Sequence, residues 1–167
     1  MSILRRYHQE GNVYFITNVT FQRKPVLVEN IDLLCTSFDQ IKSKAGFDLI
    51  AWVVLPDHFH LVIDPKRNDI SDVLQRIKMS FGFLWRKRMN LSSGRIWQNR
   101  FWDHIIRDQK DMNRHIDYVH FNPVKHGYVN SPFDWTHSSI HKYHSEGFYS
   151  PDWGLRITPD NKDKFGE

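Results

Sequence analysis

The chain has one cysteine, Cys35, in 167 residues. A lone thiol excludes an internal disulfide framework and fits a reducing compartment. Long apolar runs are missing too. The longest, Leu49 to Leu55, falls far short of the ~20 residues a membrane-spanning helix needs. No apolar stretch follows Arg5 and Arg6 of the kind a secretory leader carries. There is no internal repeat and no low-complexity segment. These absences predict a soluble, cytoplasmic protein without a membrane partner. They also predict one compact domain over residues 1–147, with residues 148–167 as a C-terminal tail.

Hydrophobic residues make up 40% of the chain and charged residues 25%, the composition of a chain that buries a core. Two features stand out: aromatics reach 14% and there are ten histidines. The net charge of +4 is unevenly spread. Between Arg76 and Arg107 eight basic residues face one acid, Asp103, so that this stretch carries +7 and the remainder −3. Phe81, Phe83, Trp85, Trp97, Phe101 and Trp102 are interleaved with those charges. Cations neutralise phosphates and aromatic faces stack on unpaired bases, so the tract reads as a nucleic-acid-binding candidate. Its plainer reading is a solvated cationic helix face whose aromatics belong to the core.

Local patterning predicts the order β-α-β-β-α-β followed by a further helix. Val13 to Thr20 is β-branched and aromatic, as a strand requires. Asn30 stands where a helix cap belongs, ahead of Ile31, Leu34, Cys35, Phe38 and Ile41 at helical spacing, with Gly46 at the end. On that stripe Cys35 reads as inert packing. Leu49 to Leu55 reads as a buried strand, Pro56-Asp57 as a tight turn, and His58 to Asp64 as the returning arm of a hairpin. A second helix is expected from about Ser71 to Met89, stopped by Ser92-Ser93-Gly94, and a fourth strand over Trp102 to Arg107. Asp108 opens a third helix that Pro123 is expected to end at Asn122. A short helix around Thr136 to Tyr143 and an extended tail complete the chain. This is an α+β, ferredoxin-like (split βαβ) arrangement: an antiparallel sheet with helices on one face and the other face open to a ligand.

The chemistry concentrates in two places. On a strand the side chains of His58 and His60 emerge from one face while Phe59, Leu61 and Ile63 pack on the other. Two neutral imidazoles so placed form half of a divalent-metal site. On the third helix Asp111, His115, Tyr118 and Asn122 form one polar stripe, opposite Met112, Ile116 and Val119. Asn122 offers a carbonyl oxygen and Tyr118 a phenol beside it. The alternatives are an amphipathic tyrosine at a helix–sheet seam and an ordinary residue ahead of a proline.

Three stretches, in this order, carry a resemblance: Ala51-Trp-Val-Val-Leu-Pro-Asp-His-Phe-His60, Trp97-Gln-Asn-Arg-Phe-Trp-Asp-His104 and His115-Ile-Asp-Tyr-Val-His-Phe-Asn-Pro-Val-Lys-His-Gly127. Together they resemble the single-tyrosine HUH transposases, and within them the REP-associated tyrosine transposases. The asparagine at position 122 favours that branch, because the insertion-sequence branch usually has glutamine there. The resemblance implies that His58, His60 and Asn122 hold a divalent metal, Mg2+ or Mn2+, and that Tyr118 is the nucleophile. It implies a site-specific single-stranded DNA endonuclease and strand transferase that forms a 5′-phosphotyrosine intermediate. The partner would be hairpin-forming DNA of the repetitive extragenic palindrome type, and the enzyme a monomer or homodimer. Arg5, Arg6, Arg86, Lys87, Arg88, Arg95 and Arg100 would then contact the backbone, and Trp97 or Trp102 a base. A phenol with an ordinary pKa near ~10 needs activation. His115 is the first candidate for that auxiliary acid/base role, with His104 and His120 also near in sequence. The histidines at 126, 137, 141 and 144 read as surface or DNA-facing. Two other readings remain open at this point: a non-catalytic nucleic-acid-binding module on the same fold, and a phosphodiesterase using metal-bound water.

Overall fold

A computed structural model describes residues 11–155, and Arg5, Arg6 and residues 156–167 of the tail lie outside that range. The predicted order holds. β1 (Tyr14–Val19) leads to α1 (Ile31–Ala45), then β2 (Asp48–Val54), β3 (His58–Asp64), α2 (Ile70–Arg88), β4 (Trp102–Ile105), α3 (Gln109–Lys125) and α4 (Ile140–Ser145). The four strands form one antiparallel sheet in the order β2-β3-β1-β4, the topology of the split βαβ fold. Among the described residues no helix is long and apolar enough to cross a membrane.

Period-two alternation divides the strands between two cores. Ile16, Phe59, Leu61 and Ile63 meet Leu34 and Ile41 of α1 and Val73, Leu74, Ile77 and Phe81 of α2. Val13, Phe15, Val53 and Val62 meet Met112, Ile116 and Val119 of α3 and Ile140 of α4. The face expected to stand open is therefore covered. A helix with a wide apolar stripe must bury it, and the second sheet face is the apolar surface α3 reaches.

Local chemistry sets the ends. Asp69 caps α2 by accepting from the Ser71 and Asp72 amides, and Asp108 caps α3 by accepting from the Asp111 amide at 2.8 Å. Gly46 closes α1 at φ 72°, its N–H on Lys42 O. Asn30 holds the cap position of α1 but does not cap it. Its amide donates to Val26 O and its carbonyl accepts from Arg88. Cys35 is exposed rather than packed.

The main departure is at Pro123. The helix does not stop at Asn122 but runs on to Lys125. A proline in the last turn removes one backbone hydrogen bond, while Phe121, Asn122 and Pro123 are all buried, so tertiary packing outweighs the local penalty. The short fourth helix begins at Ile140, four residues later than expected from its sequence. The start of the expected tail packs against α3. Tyr149 is buried, its ring 4.2 Å from that of Trp153, and Gly154 lies so close to Pro132 that a Cβ there would sit 2.6 Å from Cγ.

Candidate active site

His58 and His60 share the α3 face of β3, both buried, with ring centroids 5.0 Å apart. Each ring is tethered at Nδ1. His58 donates to Asp57 Oδ1 at 2.6 Å, and His60 shares a 2.8 Å hydrogen bond with Thr17 Oγ1 across the β1–β3 ladder. Burial alone would raise the Asp57 carboxyl; the bond from His58 and the Arg23 guanidinium 3.1 Å away outweigh it and hold the group below its ordinary value. Asp57 is thus the carboxylate that orients His58. The outer nitrogen of His58, Nε2, is buried with no hydrogen-bond partner among the described residues. A buried imidazole nitrogen left so is costly unless something binds it.

α3 lies across this pair. The Tyr118 ring stands 5.4 Å from that of His60 and 5.8 Å from that of Phe15, and the residue is only 7% exposed. The His126 ring, at the C-terminal cap of α3, stands 5.0 Å from that of His58. Asn122, fully buried, falls between Tyr118 and His126 at four-residue intervals on the same face. The residues predicted for the metal and for nucleophilic attack are thus gathered in one place. His126, read as surface or DNA-facing, is exposed, but its place beside His58 was not foreseen, nor was Lys125, whose ammonium donates to the Tyr118 hydroxyl at 2.8 Å. Their signal was spacing, four from Asn122 and seven from Tyr118, which counts only if the helix passes Pro123.

A second histidine–carboxylate group adjoins the first. His104 Nε2 donates to Asp111 Oδ2 at 2.8 Å, the His104 and His115 rings stack at 4.7 Å, and ligand atoms of all three residues lie within 4.8 Å of one another. Asp111 is already saturated, however. It also accepts from the Arg107 amide at 3.0 Å and from Arg107 Nε at 3.3 Å. Burial would raise its carboxyl, but Arg107 and His104 hold it far below the usual range. A guanidinium on the same oxygen opposes a metal cation, so His58 and His60 make the better metal pair. His115 is buried, which pushes its pKa down, and its Nδ1 donates to Asp111 O. Its ring lies 4.9 Å from that of Phe15, which also contacts Tyr118. His120 does not join this group. It points away, hydrogen-bonded to Tyr149 Oη at 2.7 Å and Ser139 Oγ at 2.8 Å, and burial drives its pKa down to about 3.

The basic tract separates into parts. Trp97 is core rather than a stacking platform: it is 8% exposed and its indole donates to Lys78 O. Arg88 is spent on an ion pair with Asp32 of α1. Lys87 and Arg100 are exposed. Arg86 and Arg95 join Lys78 around a groove of about 510 Å³ between α2 and the loop before β4, whose described lining residues include no carboxylate. Burial, then the charge of Arg95, push Lys78 below its ordinary pKa. Trp102 is 37% exposed on the α3 face, its ring 5.7 Å from that of Phe15.

Comparison with known proteins bears on this arrangement. Residues 9–122 match the family described as "Transposase IS200 like". The chain is 35% identical over 161 residues to a REP-associated tyrosine transposase of Escherichia coli (strain K12), covering 95% of this chain and 94% of that one. A solved structure of a REP-associated tyrosine transposase bound to a REP hairpin superimposes with a TM-score of 0.80 at 34% identity, over 100% of this chain and 98% of that one.

Proposed function

The chain belongs to the IS200-like transposase family, in its REP-associated tyrosine branch, and from that premise we propose that it cuts and rejoins single-stranded DNA beside a hairpin, with Tyr118 as nucleophile. The observation that carries this reading is the Tyr118 phenol packed on a buried histidine pair, His58 and His60, in which His58 Nε2 has no hydrogen-bond partner among the described residues.

The residues fit a divalent cation. Both rings are tethered at Nδ1, so each would ligate through Nε2, and Asn122 would add a neutral oxygen. Magnesium or manganese held there would supply Lewis-acid polarisation of the scissile phosphate. Tyr118 attacks the phosphorus in line. A bond forms between the phenolic oxygen and the 5′-phosphate, the bond to the 3′-oxygen breaks, and the phenolic proton is balanced by the one the 3′-hydroxyl gains. No water is consumed, so the 3′-hydroxyl can reverse the step. Phe15, fully buried beneath the rings of His60, His115 and Tyr118, keeps bulk water from below the nucleophile.

The partner is hairpin DNA of the repetitive extragenic palindrome type, as in the relative whose structure contains one. The groove of Lys78, Arg86 and Arg95 suits its phosphates, with Lys87, Arg100, Arg5 and Arg6 as further backbone contacts. Exposed Trp102, one ring from Tyr118 across Phe15, suits an unpaired base on its way to the nucleophile. The working domain extends past residue 147 into the start of the expected tail, because Tyr149 is buried and hydrogen-bonded to His120 and Asp117 of α3.

The test is a labelled hairpin oligonucleotide with single-stranded flanks, incubated with magnesium or manganese and run on a denaturing gel. Wild-type protein is expected to form a covalent adduct. Tyr118→Phe is expected to form none while still binding the hairpin. An adduct that survives the substitution removes Tyr118 from the role, and cleaved ends that are both protein-free point instead to hydrolysis.

A further inference from the structure

Lys125 Nζ lies 2.8 Å from the Tyr118 hydroxyl oxygen and 4.6 Å from the centre of its ring. The two residues are seven apart on α3, two turns along one face, with Asn122 between them. That register exists because the helix continues through Pro123. Had it ended at Asn122, position 125 would be a loop residue with no fixed relation to the phenol. The contact also lies beside a buried tyrosine rather than in open water, where an ammonium on an oxygen interacts more strongly than at a free surface.

Resting on the reading of Tyr118 as nucleophile, we propose that Lys125 is a catalytic residue: its ammonium holds the Tyr118 oxygen in place and offsets the negative charge on that oxygen in both directions of the reaction. In cleavage, charge grows on the phenolic oxygen as its proton departs and before the bond to phosphorus is complete. In rejoining, the same oxygen is the leaving group when a 3′-hydroxyl attacks the phosphotyrosine, and the bond from phosphorus to the phenolic oxygen breaks. A cation fixed 2.8 Å away serves both moments, and the proton transfer itself is not assigned to Lys125. The hydrogen bond also occupies one lone-pair direction of the oxygen, which restricts the directions from which the other can meet phosphorus. His60 contacts the ring of Tyr118 from β3, whereas Lys125 reaches the oxygen itself.

The experiment compares wild type, Lys125→Met, Lys125→Arg and Tyr118→Phe in the full chain with a flanked hairpin oligonucleotide and manganese. Three quantities are read: hairpin affinity, the single-turnover rate of adduct formation, and the rate at which isolated adduct is resolved by an excess of 3′-hydroxyl strand. Methionine preserves length and helix propensity, and thermal melting checks that each variant folds. Lys125→Met is expected to slow both formation and resolution by about 10- to 100-fold, the worth of one charge-assisted hydrogen bond made to the reacting atom, with hairpin affinity unchanged. Lys125→Arg, which keeps charge and reach, is expected to recover most of the loss in both directions. Lys125 is overturned in this role if methionine leaves both rates intact, if arginine is as slow as methionine, or if the loss of rate tracks a loss of hairpin affinity. An adduct formed by Tyr118→Phe would instead sink the nucleophile assignment, whatever the lysine variants do.

Discussion

On the α1/α2 side of the sheet β3 contributes Phe59, Leu61 and Ile63; on the α3 side the same strand contributes His58, His60 and Val62. Both sides are buried, and both are covered by helices. The first is almost wholly aliphatic and aromatic, built for cohesion. The second interrupts its apolar packing with Thr17, His58, His60, His115, Tyr118 and Asn122, all nearly solvent-free. Polar groups cost more to bury than they return unless hydrogen-bonded or used, and those on the α3 side converge on one point. One layer of the molecule holds it together, while the other gives up cohesion for chemistry.

Paired substitutions on a single strand break this comparison most directly. His58→Ala is expected to lower adduct formation by about 100-fold or more with little loss of stability, and chelation of divalent metal to reproduce that loss in the wild type. Leu61→Ala, three residues along on the other side, is expected to cost about 2–5 kcal/mol of stability and to leave adduct formation per folded molecule unchanged. Denaturant melts and gel assays on the same preparations separate the two, and equal effects on both readouts would dissolve the distinction between the layers.

A smaller effect sharpens the account of the chemical side. His120 is depressed from an ordinary 6.5 to about 3 by burial and by the charge of His141, so its contribution to stability is present above about pH 6.5 and is lost as pH falls. Asp117 opposes it. Burial raises its carboxyl to about 6, against a bond from Tyr149 that works to lower it, so its contribution is complete at low pH and is lost as pH rises through 6. Asp117→Asn removes that opposition. In this variant, stability is expected to fall by about 2 kcal/mol between pH 7 and pH 5, more steeply than in wild type, as read by urea melts at the two values.

The smallest effect concerns an exception on the cohesive side. Asn18 pairs in register with Phe59, is fully buried, and neither atom of its amide finds a partner among the described residues. Asn18→Val is expected to stabilise the fold by about 1 kcal/mol, an increase in Tm of about 3 °C, without changing adduct formation. A loss of activity there would mean that the cohesive layer also carries function.

Much of this was readable from residue order. The hairpin, the shared face of His58 and His60, the Asp108 cap and the common stripe of Tyr118 and Asn122 all follow from periods of two and 3.6, which neighbouring residues impose on themselves. Trp97 was misread because an aromatic among arginines looks alike whether it faces a base or Phe59 and Phe81, to which its ring lies 5.8 and 5.4 Å away. Cys35 was misread because the stripe of α1 is wider in sequence than the contact that α1 makes.

By itself the sequence determined which side chains share a face, because backbone geometry repeats within a few residues. It could not determine that α3 would lie on the histidine side of the sheet, that its last turn would survive Pro123, or that Lys125 would arrive at the phenol. Those outcomes depend on apolar surfaces tens of residues apart meeting in space. The free energy of that meeting exceeds the local penalty of a proline, and only the folded chain contains it.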